Sequence, residues 1–584
     1  MSASSQIRSE EFLKISGQFK LGALVTESSH HVTANLSEVA KTDIAAALDL
    51  LFQADGDVVN KFREFAASGR AEKIAAVILN SIKSGGKIFF TGCGSTGRLS
   101  ILLDSIWRDF WRKQNNSDLE KRTFSVMAGG DYALIKSVEG FEDFTAFGEK
   151  QITDLSLSSK DVVFAITEGG ETSFVIGTAR AGVNAGAKVY FVYNNPDDIL
   201  CEHVQRSREV IQDVRIEKIN LTTGPMSITG STRMQATSIQ LCVMLTILEI
   251  VARELSGQKS TDVAKEFLTQ LEMLHANLRA PEFLASLAKL VALEESVYRG
   301  GGKNNYFADH LGADVLTDTT ERSPTYCTPP FRKFDDATAT ESWAYLFLPE
   351  PDAASAWRSI LKREPRCVSW SESEIRALVS EVKFPRTQEI INKISVTELM
   401  RFRIGLDGVK NRPLGKGDSA IAVLCETEIA NFQISQLEAA RQAGARAGAI
   451  CFGISELQTL NAEQVFVPIP KTSFLLDGVT RVAVKLVMNA LSTCTMVRLG
   501  RVMGNYMVWV VPSNLKLIDR ATRYISKLTD LPYERANELL FEIIEYVEPR
   551  MRADQAYPPV VGMAVVRAKN NFTNEQAERF LQSQ

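Results

Sequence analysis

The chain has 584 residues, enough for about four domains of ordinary size. A hydrophobic content of 45% with 23% charged residues is that of a soluble globular protein, and a net charge of −4 with a pI near 6.0 argues against general nucleic-acid or membrane-surface binding. No apolar run reaches the roughly eighteen residues of a membrane span, Met1-SASSQIRSEE has no apolar signal region, and eight scattered cysteines with five histidines form no zinc pattern. These features predict a cytoplasmic protein without metal or other cofactor.

Residues 40–85 read as helix, with Ile44, Leu48, Leu51, Val58 and Phe62 at helical spacing. Strands and helices then alternate, with strands predicted at Ile88–Thr91, Phe124–Ala128, Val162–Thr167, Val189–Tyr193 and Ile216–Leu221. Such alternation predicts an α/β fold with a doubly wound parallel sheet, whose ligands sit beyond the carboxyl ends of the strands. The loops at those ends are Gly92–Gly97, Gly129–Asp131, Glu168–Thr172 and Gly224–Arg233.

The first of these loops suits an anion. Gly92, Gly94 and Gly97 let the backbone approach closely, Ser95 and Thr96 add hydroxyls, and a helix opens at Arg98 whose amino end favours negative charge. The glycine spacing also fits a dinucleotide fingerprint, but no acidic residue ends a second strand about twenty residues on. A phosphate monoester is the preferred ligand; a dinucleotide or a ligand-free glycine turn are the alternatives. Cys93 reads as a small filler rather than a nucleophile.

The chain then repeats itself. Val162-VFAITEGGETSFVIGTARAGVNAGAKVYFV parallels Ile421-AVLCETEIANFQISQLEAARQAGARAGAICFG, and aligning Ala185-GAK with Ala443-GAR also pairs Glu168 with Glu426. Arg299-GGGKNN is the nearest second copy of the glycine loop and lacks its Ser/Thr pair, so one phosphate site per chain is expected. After Pro512 helices are predicted at Leu515–Leu528, Tyr533–Val547 and Asn574–Leu581, with Pro549–Pro559 a loop. The expected division is an N-terminal helical segment (1–60), a first unit with the phosphate loop (61–255), a degenerate second unit (256–512) and a helical lid (513–584).

These motifs resemble those of a known family. Gly92-CGSTGRL is similar to the GAGTSGRL loop of the sugar isomerase (SIS) fold in N-acetylmuramic acid 6-phosphate etherases. Leu24-VTESSHHVTANL, Val138-EGFED, Gly230-STRM and Met488-NALSTCTMVRLGRVMGNYMVWVVPSNLKL resemble further segments of that family, in order, over nearly the whole chain. Etherases carry one such unit and pair as dimers. Two SIS units plus a lid resemble the glucokinase regulatory protein family, which implies a pseudo-dimer within one chain.

Carried over residue by residue, the resemblance implies a sugar phosphate held by Gly92, Gly94, Ser95, Thr96, Gly97 and Arg98. Further contacts would come from Thr167, Gly169, Gly170, Thr172, Ser231, Thr232 and Lys485. Glu142 matches one etherase carboxylate. The other matches Glu321 in Asp318-TTERSPT, whereas the first unit has Trp107 at that place in Asp104-SIWRDF. The losses are complementary, so one composite site between the units is expected.

Glu168 and Glu171 replace neutral family residues at the site mouth, where Arg98, Lys485 or Lys136 are the expected counter-charges, and Gln235 replaces a family lysine. The first reading is a sensor of a hexose phosphate that addresses a protein partner such as a sugar kinase. Glucokinase itself is not implied, because Val465-FVPIPKTSFLLDGVTR is shorter than the regulatory protein's apolar segment. The second reading is an etherase-type lyase using Glu142 and Glu321, and the third an isomerase with His310 as its one candidate base. The internal pseudo-dimer predicts a monomer or weak dimer.

Overall fold

The computed structural model describes residues 3–16, 21–138, 140–426, 428, 430–454, 462–512, 515–551 and 557–582. The first sheet is built from β1 (Ile88–Gly92), β2 (Thr123–Met127), β3 (Val162–Ile166), β4 (Lys188–Tyr193) and β5 (Ile216–Asn220), all parallel, in the order β2-β1-β3-β4-β5. The second comprises β6 (Asn304–Phe307), β7 (Ala344–Phe347), β8 (Ser419–Cys425), β9 (Arg446–Phe452) and β10 (Glu463–Val467), ordered β7-β6-β8-β9-β10. Matched strand for strand, the two orders are identical, so the repeat seen in the sequence is a repeat of topology. Every residue of β1, β3 and β8 is buried, as helices on both faces require. The fold is a two-unit α/β SIS architecture.

The helices repeat as well. Ile44–Ala67 and Arg70–Lys83 lead into β1, and Val263–Leu278 and Pro281–Arg299 lead into β6. The expected single helical stretch over 40–85 breaks at Gly69, which takes a positive φ of 62° that side chains disfavour. Residue 60 lies inside the Ile44–Ala67 helix, so a division there would cut a continuous element; the helix begins after Asp43, whose side chain accepts the Ala46 N–H at 3.0 Å.

Like elements meet like between the units. The Gly94–Lys113 helix packs on Gly312–Tyr326, and Gln235–Leu255 packs on Gly478–Arg498. The expected pseudo-dimer thus has its seam along four helices, two from each unit. Gln235–Leu255, with a mean hydropathy of 1.6, is long and apolar enough to cross a membrane, against the expectation that no run is. Its apolar window is wholly buried inside the protein, where a core helix surrounded by others must be apolar all round.

The glycines at 300–302 are not the second copy of the phosphate loop. They precede β6, as Gly85 and Gly86 precede β1, and therefore lie at the amino end of the sheet. The true counterpart is Ala308–Gly312, which follows β6 and opens the Gly312–Tyr326 helix with Gly312 as its one glycine and no Ser/Thr pair.

The lid contains Leu515–Thr529, Tyr533–Val547, Val560–Asn570 and Asn574–Gln582. Sequence reading missed the third of these; in the predicted 549–559 connection, residues 552–556 lie outside the described residues. The amino-terminal helix Ala3–Ser16 packs on Tyr533–Val547, with Phe12 and Phe541 ring centroids 6.3 Å apart and a buried Ser9–Asn537 hydrogen bond of 2.7 Å. Glu27 is likewise buried against Arg520 (Nε, 3.0 Å) and Arg523 (Nη2, 3.0 Å) of the first lid helix. The start of the chain therefore ties the lid to the first unit.

A buried charge cluster joins the units at a second place. Arg363 of the second unit contacts Asp131 at 2.6 Å and Asp104 at 3.2 Å, and Arg366 reaches Asp104 at 3.0 Å. Burial alone would raise the Asp104 pKa, but Arg108, Arg366 and Arg363 outweigh it and hold the carboxyl at about 2. Replacing Arg363 with Met should cost roughly 3–5 kcal/mol in chemical denaturation, because it leaves the buried Asp131 carboxylate without its cation, while Asp104 keeps Arg108 and Arg366. The Asp104 contribution should be full above its unfolded pKa of about 3.9 and vanish as the pH falls towards about 2, read as an acid transition in near-ultraviolet circular dichroism.

Candidate functional site

β1 ends at Gly92 because the next helix begins at once. A Cβ on Gly92 would stand 2.4 Å from the Thr96 backbone, and one on Gly97 would stand 2.6 Å from Met127, so both positions exclude a side chain. Gly94 adopts φ +54°. The Thr96 hydroxyl bonds the Cys93 N–H at 3.1 Å and the Cys93 carbonyl at 2.9 Å and is fully buried. Its function is to cap the loop, not to face a ligand. Ser95, by contrast, is partly exposed and turns towards the second unit.

There it meets Glu321. Ser95 Oγ donates to Glu321 Oε2 at 3.0 Å, and Arg98 Nη1 donates to Glu321 Oε1 at 2.7 Å. Arg98 Nε also bonds Thr320 Oγ1 at 3.1 Å, with the guanidinium buried at the seam. Lys485 lines the same interunit cavity as Ser95, Arg98 and Glu321. Its Nζ donates to the Arg233 carbonyl at 3.0 Å, and Asn489 donates to the same oxygen at 3.1 Å. Burial first, and then Arg233, lower the Lys485 pKa to about 8 against the pull of Glu321, Asp318 and Asp55.

Glu142 stands beside the loop, where its Oε2 accepts from the Cys93 thiol at 3.7 Å. Burial pushes its pKa up, and Asp143 and Glu171 add to that while Lys516 opposes them. Glu168 is buried and raised to about 7 by burial, with Glu321 and Glu171 contributing. The Cys93 thiol is pushed well up by burial, Glu142 and Glu168, consistent with a filler and not a thiolate.

Glu171 takes a counter-charge from outside the three cations expected. Lys516, from the first lid helix, pairs directly with Glu171, and this pairing together with Arg206 holds Glu171 below its ordinary pKa despite burial. Sequence reading missed Lys516, although it stands at the end of the long Met488–Leu517 segment whose resemblance was noted. Its partner is 345 residues away in the chain, so spacing carried no signal.

The remaining predicted residues take mixed positions. Thr167 and Thr172 share a hydrogen bond of 3.1 Å at the end of β3. The carbonyls of Gly169 and Gly170 are tied to Asn195 (2.9 Å) and Ser207 (2.7 Å), which shapes the loop. Ser231 and Thr232 lie in the turn beneath the lid, where Tyr524 packs over Gly230, and their own neighbour Arg233 is the residue that enters the interunit cavity.

The second unit closes its own corresponding loop. Glu428 accepts the backbone N–H of His310 at 3.1 Å and that of Cys425 at 2.9 Å, so a carboxylate of the chain takes donors that a phosphate would use. His310 is bonded to Asp477 at 3.1 Å and faces Arg481 at 3.3 Å.

The fold is that of a two-unit protein in which the first unit carries the glycine loop Gly92–Gly97. Residues 71–182 match the family model of the glucokinase regulatory protein N-terminal SIS domain. The chain is 30% identical over 225 residues to N-acetylmuramic acid 6-phosphate etherase from Yersinia pestis (strain Pestoides F), covering 38% of this chain and 69% of that protein. It is 29% identical over 224 residues to the same enzyme from Serratia proteamaculans (strain 568), covering 38% and 68%. Among solved structures it is similar to the C-terminal domain of glucosamine-fructose-6-phosphate aminotransferase from Francisella tularensis, with TM-score 0.45, 11% identity, and coverage of 77% and 94%. The chain belongs to the SIS-domain family of the N-acetylmuramic acid 6-phosphate etherases.

Replacing Gly92 with Ala should destabilise the protein by about 1–3 kcal/mol through overpacking. Hydrogen exchange should locate the loosening at the amides of residues 93–97.

Proposed function

We propose that the chain binds a hexose phosphate at one composite site made by both units and acts as a sensor of that ligand. The observation that carries this reading is the pair of hydrogen bonds from Ser95 and Arg98 to Glu321. The anion loop of one unit is held by a carboxylate of the other, so a phosphate entering the loop competes with Glu321 and alters the seam. Lys516 connects the same site to the lid through Glu171. Occupancy is then convertible into a change in lid position that a protein partner, such as a sugar kinase, reads. The family membership, the second unit and the lid support this reading, with a cytoplasmic location.

In this reading the loop amides and Ser95 take the phosphate, Lys485 and Lys516 supply positive charge, and Glu142 and Glu321 accept hydrogen bonds from sugar hydroxyls. Isothermal calorimetry with fructose 6-phosphate is the direct test. Lys485→Met should lower affinity at least tenfold, equivalent to about 1.4 kcal/mol; unchanged affinity removes the composite site.

A second reading is favoured by Glu142, whose raised pKa suits a general acid beside a second carboxylate, as release of a lactyl ether from a sugar requires. Incubation with N-acetylmuramic acid 6-phosphate separates the two. D-lactate release that disappears in Glu142→Gln and Glu321→Gln makes the chain a lyase, and no release from protein that binds hexose phosphate leaves the sensor.

Glu168 sets the pH dependence. Its pKa of about 7 means that it is charged at pH 8 and neutral at pH 6, so it repels a phosphate only at the higher pH. Glu168→Gln should therefore raise sugar-phosphate affinity at pH 8 and leave it unchanged at pH 6.

A further inference from the structure

The two units match in topology but not in the length of one connection. Residues 128–161 join β2 to β3, whereas residues 348–418 make the matching passage from β7 to β8. The longer passage includes three short helices, Glu372–Leu378, Phe384–Asn392 and Val396–Met400. This insert does not stay on its own sheet. The chain leading into it bridges Gly130 at Cys367, and Val396–Met400 packs on the Asp131–Leu134 turn, both in the first unit.

What the insert covers is the turn that carries Glu142. Residues 140–144 form neither helix nor strand. The helix after them, Thr145–Thr153, is held to Ser173–Asn184 so closely that a Cβ on Gly148 or Gly177 would stand 2.0 Å from a backbone carbonyl oxygen. The turn itself is anchored by Phe141, which is buried. Trp370 of the insert stacks on Phe141 with ring centroids 5.9 Å apart and 19° between the planes, and meets Phe147 edge-on at 5.4 Å. Aromatic pairs prefer defined geometries, so this packing orients the turn as well as filling space. Trp370 is fixed in its turn: its Nε1 donates to Asp154 Oδ2 at 3.1 Å, and Glu374 accepts from Lys150 Nζ at 2.7 Å. Lys383 Nζ lies 4.7 Å from the centre of the Phe144 ring. Both aromatic residues that flank Glu142 and Asp143 are therefore held by the second unit.

We infer that Trp370 is a positioning residue for Glu142, and that the insert gives the second unit a hold on the sugar-facing carboxylate of the first. Trp370 acts through Phe141, which sets where the Glu142 backbone stands, while the Glu142 carbonyl accepts the Phe174 N–H at 3.0 Å. From there the carboxylate reaches the Cys93 thiol at the loop. The second unit thus delivers both candidate carboxylates, Glu321 directly and Glu142 through Trp370. That Glu142 faces a sugar rests on the hexose-phosphate reading above; that Trp370 places it does not.

Two measurements on the full chain test this. Without ligand, the rate of iodoacetamide alkylation at the partly exposed Cys93, followed by peptide mass spectrometry, reports on the Glu142 carboxylate, which after burial does most to keep the thiol protonated. Glu142→Gln should raise that rate about threefold or more, Trp370→Ala should raise it similarly, and the double variant should show no further rise. In calorimetry, Trp370→Ala should weaken fructose 6-phosphate binding about tenfold, the cost of one charge-assisted hydrogen bond, with no further loss in a Glu142→Gln background. Trp370→Phe keeps the stack and should behave as the unaltered protein in both. An alkylation rate unchanged by Trp370→Ala overturns the inference. A rise that persists in the Glu142→Gln background also overturns it, because general loosening of the loop then accounts for it. Unaltered protein that binds no fructose 6-phosphate removes the hexose-phosphate reading and leaves the alkylation result to decide this one. Trp370→Leu takes the place of Trp370→Ala should the latter fail to fold.

Discussion

One carboxylate organises the site. Glu321 leaves the second unit, crosses the seam and bonds both Ser95 and Arg98 of the first. A buried guanidinium demands such a partner, since an unpaired charge at this depth costs several kcal/mol. The same ion pair that stabilises the seam therefore occupies the hydroxyl of the anion loop. Assembly of the two units and readiness for a ligand are one physical problem with one solution.

The charge balance around the loop extends this coupling. Glu142, Glu168 and Glu171 cluster beside the Gly92–Gly97 loop, and burial raises two of the three pKa values. Lys516 compensates the third, but it belongs to the lid. The lid in turn is pinned by Glu27, whose carboxyl is held at about 2 by Arg520 and Arg523 against the opposing effect of burial. Loop, lid and amino-terminal segment thus share one electrostatic network.

Asymmetry between the units follows the same logic. The two sheets are equal in topology, yet only the first is followed by the glycine loop Gly92–Gly97. In the second, Glu428 bonds the backbone donors of its own loop. An internal carboxylate at fixed distance has a far higher effective concentration than a dissolved ligand, so the second loop is closed by the chain itself.

The strands of the first unit were legible from the sequence to within a residue or two, because buried parallel strands must be short apolar runs. The glycine loop was legible because Gly92 and Gly97 meet a steric need that no other residue satisfies. Family resemblance supplied Glu142, Glu321 and Lys485, which periodicity alone would have left as surface residues. The Gly300–Gly302 run misled, since a glycine cluster looks the same at either end of a strand, and only the register of β6 shows which end it occupies. Lys516, Arg233 and the self-closing Glu428 were invisible for a shared reason. Their functions arise from partners that lie 345 residues away for Lys516, 252 for Arg233 and 118 for Glu428, and burial, distance and pairing are decided by tertiary packing, on which local sequence has no hold.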